Sequence, residues 1–399
     1  MNKILKYKDL DNILLFVLCT VLFWCILKYL STDMNLHIES IIWVNNGQSS
    51  YSPHFLFFFI LNFLSFFSSN VTIMTLVAVL LLAISTLGKY VISKYMLSEV
   101  VLDSKFEYKV LLIKVISFAL IFCFAIPDVY NFFVLEKMYL GRIPSVVWHN
   151  STVIAVFPLA ILLFWKQLKI FDKNYNSLWS KDIWFITLLV VLNIFVKPSF
   201  IFVYAPVTAL FLVKDFTLEK RISHSIKFFP LFIGLVVLFL QYISIYYYQT
   251  GTFVSGKSSL TIGAPFEFVR NFIPAWYIPI ALFFSFAFPI AAIYYHRDIL
   301  KNKAFLYALC LTIFGILISA FIVEDGPRRL HGNFTWQNII CAYILLLSTA
   351  TFLLPKLLSK NEDVKIKIIL WTVFMLHFLS GILYLFKLYF VDSKLVHAH

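Results

Sequence analysis

The sequence predicts an all-α fold: a polytopic bundle of about 11 membrane-spanning helices. It forms a single integral domain over residues 1–399, with an interfacial helix in the first outer loop, residues 31–70. Three observations predict this. Of the 399 residues, 61% are hydrophobic and only 13% charged, with a mean hydropathy of +0.88, whereas roughly a quarter of a soluble domain is charged. Apolar runs of about 17–25 residues, the length a helix needs to cross the hydrocarbon, recur from end to end. The period-two alternation of a membrane β-barrel is absent.

The chain opens with MNKILKYKDLDN ahead of an apolar segment. It has no small-residue cleavage site, and so reads as a retained first span over about residues 12–30. With Lys3, Lys6 and Lys8 placed inside, residues 31–54 emerge on the outer face. The next run, HFLFFFILNFLSFF within residues 54–68, is short of the ~20 residues that cross a bilayer. If it crossed, the following span would deliver Lys89, Lys94, Lys105 and Lys109 to the outer side, against the positive-inside rule. It is therefore assigned to the outer interface. The remaining lysines and arginines then fall mostly into inner loops at 88–109, 166–182, 214–227, 296–303 and 356–367. The segments 183–197 and 199–213, either side of Lys197-Pro198, are short enough for a tilted or partial hairpin. The C-terminus comes out on the outer face. Heavy use of Lys, Ile, Phe and Asn suits an AT-rich bacterial genome, so the expected location is the bacterial inner membrane.

The formal net charge is +13. Its lysines and arginines are scattered among short loops rather than gathered on one polar domain, which excludes a nucleic-acid partner and leaves membrane lipids. The five cysteines all lie in apolar runs, giving neither a disulfide framework nor a zinc site. A few basic residues oppose the orientation rule and need another reason to be outside. They are Lys137, Arg142, Lys197, Lys257, Arg270, Arg328 and Arg329, with Lys387 and Lys394 near the end.

Four outer segments carry candidate chemistry. The first, STDMNLHIES, holds Asp33, His37 and Glu39. On a helix Asp33 and His37 share a face, while Glu39 points about 120° away from Asp33. A carboxyl beside low-dielectric lipid can be raised to a pKa useful for proton abstraction; the plain alternative is a solvated loop. The second is YLGRIPSVVWHNST, where Trp148, His149 and Asn150 stand at the mouth of a span. There a tryptophan commonly anchors the interface, but His149 and Asn150 can hydrogen-bond a sugar hydroxyl or a phosphate. The third is VKPSF, in which Lys197 either snorkels or meets an anion. The fourth is EDGPRRLHGNFTW: Arg328 and Arg329, followed by His331 and Asn333, suit phosphate oxygens unless the two preceding acids neutralise them.

The order of these features is an inner N-terminus, a first span, an acidic outer loop, a short Pro-aromatic helix (SPHFLFFFIL) and an inward span closed by lysines. It resembles the GT-C class of polytopic glycosyltransferases, which use polyprenyl-phosphate-linked sugars. In that class the first outer loop supplies the essential acid, and its interfacial helix often begins with a His-Pro-Pro-Leu-type segment. Here the order is Ser52-Pro53-His54-Phe55. The resemblance implies a lipid-linked sugar donor, Asp33 as general base, and Glu39 or His37 orienting the acceptor or sharing the role. Arg328, Arg329 and Lys197 would then hold the phosphate leaving group. A divalent cation bridging Asp33, His37 and Glu39 to phosphate is a further expectation. Two rival classes remain. A lipid-linked polysaccharide polymerase or ligase would use the arginines without needing the acidic loop. A transporter or flippase would call for mid-span charges and repeat symmetry, of which the sequence shows little.

Overall fold

Twenty almost uninterrupted apolar residues form the first helix, α1 (Leu10–Tyr29). Leu15, Cys19, Phe23 and Ile26 recur on one buried face, while Ile13, Leu14, Val17 and Val21 stay exposed on the other. That is the pattern of a helix with one side on protein and one side on lipid. The structure, a computed structural model, describes residues 10–30, 32–101, 108–135, 141–175, 177–219, 222–248, 259–326, 329 and 331–390.

After α1 the chain turns at Thr32, whose hydroxyl accepts the Met34 amide at 3.3 Å and caps α2 (Asp33–Asn45). This helix is amphipathic: Met34, Ile38 and Ile41 are buried, while Leu36 and Glu39 are exposed. α3 (Leu56–Leu64) has nine residues, about 14 Å of helix, far short of the ~30 Å hydrocarbon core. It is pinned across α2 by the buried Asn62 amide, which donates to Asn45 Oδ1 at 2.7 Å and to the Tyr51 hydroxyl at 2.6 Å. α4 (Val71–Val101) then runs back through the bundle for 31 residues.

Ion pairs show which helix ends lie together. Asp11, at the start of α1, meets Lys94 near the end of α4 at 2.8 Å and Lys114, in α5 (Lys109–Phe122), at 2.7 Å. Glu99 of α4 meets Lys169 of α6 (Ser151–Phe171) at 2.5 Å. Asp172 follows α6 and meets Lys303, the first residue of α12 (Lys303–Phe321), at 2.7 Å. Asp298 meets Lys356, near the end of α13 (Trp336–Leu358), at 2.8 Å. The exposed pairs among these contribute little stability each, but all of them put the lysine-rich ends on one side. The start of α1 and the end of α4 therefore share a side, and α2 and the nine-residue α3 lie at the opposite end.

Among the described residues, seven helices are long and apolar enough to cross a membrane, so the chain reads as a multi-pass membrane protein. The number is eight if the bent pair Ala275–Ser285 and Ala287–Tyr295, at 66°, counts as one span. The expected count of about 11 is not reached on length and composition. α5 has 14 residues and α7 (Lys181–Val196) has 16, while the apolar part of α8 (Ser199–Glu219) is Ser199–Lys214. The reasons are local. Pro198 drives Lys197 into an extended conformation, φ −164° and ψ 116°, which ends α7. α5 gives way after Phe122 to a buried extended stretch, Cys123–Ile126.

That stretch must satisfy its backbone inside the bundle. α14 (Val364–Phe390) supplies partners: His377 Nδ1 lies 2.7 Å from Phe124 O, and the Ser380 hydroxyl donates to Ala125 O at 2.6 Å. The other ring nitrogen of His377 faces the Phe288 amide at 3.3 Å, at the break between α10 (Ile278–Ser285) and α11 (Ala287–Tyr295). One histidine thus joins two interrupted helices. Gly381 allows the close approach, since a Cβ there would sit 1.5 Å from Phe122 O.

α9 (Phe229–Tyr242) completes the helices between α8 and the end opposite the lysine-rich ion pairs. There a two-stranded antiparallel ribbon, β1 (Ser259–Ile262) with β2 (Ile322–Asp325), pairs Ser259 with Asp325 and Ile262 with Ile322. α13 is the core of the described bundle, buried along most of its length, whereas α1 buries a single face. Lys89, which the charge pattern places in the first inner loop, instead lies buried within α4. Its ammonium rests 3.9 Å from the Phe157 ring centroid and 3.8 Å from that of Tyr343. Two ring faces take the place of a carboxylate there.

Candidate functional site

The site forms at the end opposite the lysine-rich ion pairs, around the first turn of α6. Asn150 caps that helix, its side-chain oxygen accepting the Val153 amide at 3.0 Å and the Thr152 hydroxyl at 3.1 Å. The Ser151 amide points outward and donates to Asp33 Oδ1 at 3.1 Å. A carboxylate at a helix N-terminus is favoured by the unpaired amides and the helix dipole. The Ser151 hydroxyl lies 2.7 Å from His37 Nδ1, so Asp33 and His37, one turn apart on α2, grip the same serine. Lys197 enters from the α7–α8 break and donates to the Thr152 hydroxyl at 3.0 Å. Its ammonium lies 5.3 Å from the ring centroid of Trp336, the first residue of α13.

His149, Asn150, Ser151 and Thr152 are buried, whereas Asp33, His37, His54 and Lys197 are partly exposed. Burial pushes the Asp33 carboxyl up to about 7, outweighing the opposite pull of the Ser151 amide and of Lys197. Burial, with the positive charges of Lys197 and His54 behind it, pushes His37 down to about 3, so its ring is neutral near pH 7. A neutral imidazole orients the serine hydroxyl rather than carrying charge. His54 packs on Phe58 at 6.0 Å between ring centroids, and Phe58 in turn meets His37 edge-on at 4.8 Å. The Pro53 carbonyl before it accepts from Gln241 at 2.8 Å, which ties this loop to α9.

Of the sequence-predicted residues, Asp33, His37, Asn150 and Lys197 meet here, and His149 joins through its ring, 6.1 Å from that of Trp336. Glu39 does not: it is exposed on the other side of α2. The shared cation expected between Asp33, His37 and Glu39 does not fit this placement, because Ser151 binds the first two and the third faces away. Among the described residues no group of three or more His, Cys, Asp or Glu side chains is placed to hold a metal. Trp148 is not at the mouth but in the core, with ring centroids 5.8 Å from Phe23 and 5.6 Å from Phe122.

The arginine turn lies apart. Arg329 spends its fork on protein carboxylates, donating to Glu267 at 2.5 and 3.0 Å and to Asp325 at 3.0 Å. It clamps the turn Glu267–Arg270 to β2, and the hydrogen bond from Arg329 holds Glu267 below the usual carboxylate range. His331 is exposed, Asn333 donates to the buried Glu324, and Arg328 lies outside the described residues. Arg142, one of the cations expected outside against the orientation rule, is buried and paired with Asp128, to which the Tyr277 hydroxyl also donates.

Sequence reasoning missed Ser151, Thr152 and Trp336 as site members. The signal was present for two of them: Asn-Ser-Thr before an apolar run is a helix N-terminus, whose outward amides seek a carboxylate. Searches against family models, curated proteins and solved structures return no match to the chain.

Proposed function

We propose that this protein is a GT-C-like membrane glycosyltransferase. It moves a sugar from a polyprenyl-phosphate carrier to a cell-envelope glycan, lipid or protein acceptor at the outer face of a bacterial inner membrane. Counting the bent pair and the three shorter apolar helices as spans gives about 11 crossings, with the N-terminus cytoplasmic and the C-terminus outside. The observation that carries the reading is the convergence of Asp33, His37 and Lys197 on the first turn of α6, at the end away from the lysine-rich ion pairs.

In this mechanism the acceptor hydroxyl attacks the anomeric carbon while the bond from that carbon to the phosphate oxygen breaks. The electron pair leaves with the polyprenyl phosphate. The proton passes to Asp33 Oδ2, because Oδ1 is held by the Ser151 amide. Lys197 stabilises the negative charge that grows on the departing phosphate, and His37 fixes the serine that positions Asp33. A polymerase or ligase built on the arginine turn is less well supported, since the Arg329 fork is occupied by Glu267 and Asp325.

The test is transfer by purified protein in nanodiscs supplied with a lipid-linked sugar donor, reading release of polyprenyl phosphate. Asp33→Asn should insert and fold normally and lose about 10²–10⁴-fold in rate, whereas Glu39→Gln should stay within about two-fold because surface changes away from a site have small effects. Near-normal transfer by Asp33→Asn would refute the reading.

A further inference from the structure

A second polar concavity lies at the lysine-rich end, between the last turns of α6 and the first turns of α7. Its volume is about 330 Å³, and its walls are Lys166, Lys169, Lys173, Lys181 and Asp182 over Ile170, Phe185 and Ile186. Charge is unbalanced there. Lys173 is paired with Asp182 at 2.6 Å and Lys169 with Glu99 at 2.5 Å. Among the described residues neither Lys166 nor Lys181 forms an ion pair. Two cationic heads are left for one site.

The surroundings are those of a membrane surface. Trp179, 80% exposed, stacks on Trp184 at 5.8 Å between ring centroids. Trp165 lies under Lys166 and Lys169, at 5.1 and 4.4 Å from its ring centroid. Tryptophans of this kind mark the level of the headgroups. Along α7 from the pocket, Trp184, Phe185 and Leu188 present an exposed apolar strip. A lysine pocket opening onto an apolar helix face is complementary to a molecule with an anionic phosphate at one end and acyl chains at the other.

We propose that this concavity binds the headgroup of an anionic glycerophospholipid of the inner leaflet. The phosphate sits between Lys166 and Lys181, and an acyl chain lies along Phe185 and Leu188. The site is independent of the transfer reaction and at the other end of the bundle.

The experiment uses the purified full chain, delipidated in a neutral maltoside detergent. It is titrated with phosphatidylglycerol, with phosphatidylcholine and with inorganic phosphate, and bound ligand is read by native mass spectrometry and by the shift in Tm. Phosphatidylglycerol should bind at least about ten-fold tighter than phosphatidylcholine, and Lys166→Gln/Lys181→Gln should weaken it about 30-fold, each lysine near an anionic headgroup being worth about five-fold. Lys360→Gln/Lys365→Gln removes the same charge from another loop at that end and should change nothing. If the first double variant does not purify, Lys181→Gln alone, at an exposed position, should show the five-fold loss. Three results overturn the proposal: no preference for the anionic lipid, an equal loss in the Lys360/Lys365 control, or protection by inorganic phosphate at the lipid's own concentration.

Discussion

Asp33 is held by two influences of opposite sign, and both can be read in solution. The Ser151 amide and Lys197 favour the carboxylate, burial favours the acid, and burial wins, leaving the carboxyl at about 7. If Asp33 is the general base, kcat/KM should rise with pH along a limb centred near 7, and that limb should vanish in Asp33→Asn. Stability gives a separate readout with a defined sign. A carboxyl raised above its unfolded value of 3.8 binds its proton more tightly in the folded state. Its contribution is therefore fully present below pH 3.8 and is lost as pH rises towards about 7. Asp33→Asn should consequently raise Tm more at pH 8 than at pH 4, and an equal shift at both would contradict the elevated pKa. At this scale the sequence was informative where helical spacing applied: Asp33 and His37 share a face, and Glu39 leaves it. It was uninformative about Arg329, whose partner Glu267 lies 62 residues away, a distance over which no local pattern distinguishes a phosphate clamp from a protein clamp.

The elements show the same division. That α3 is a short helix was legible in the sequence, and its length together with the lysines of α4 argues that it does not cross. An impermeant maleimide applied to intact cells should therefore label Gln48→Cys and Ser69→Cys alike and spare Ser177→Cys; labelling of Gln48→Cys without Ser69→Cys would mean that α3 crosses. The interruption after Phe122 was not legible. CFAIP continues an apolar run, and only the remote His377 and Ser380 make an extended backbone tolerable there. His377→Ala removes the imidazole that bonds both Phe124 O and the Phe288 amide, at about 1 kcal/mol for each buried hydrogen bond lost. It should lower Tm by several degrees in detergent, while His331→Ala, at an exposed position, should leave Tm unchanged.

Across the whole molecule the two ends have different chemistry. One carries the paired lysines and the basic concavity, and the other the carboxylate and its serine. The number of crossings was the least legible property, because three apolar helices fall below spanning length where the chain breaks at Phe122 and Pro198. Composition reports apolarity but not where a helix stops. The ribbon of β1 and β2 escaped notice for a related reason: four-residue strands carry too few alternations to register.

The position of α13 bears on how the chain is made. The helix that fills the centre of the bundle is the last but one of the described helices, and Tyr343 is 250 residues downstream of Ser93, its hydrogen-bond partner. At the usual 5–20 residues per second, roughly 10–50 s separate the two during translation. Throughout that interval Lys89 has the Phe157 ring to meet but not the Tyr343 ring on its other side. The centre of the bundle around the Lys89 side chain is therefore completed only when α13 arrives.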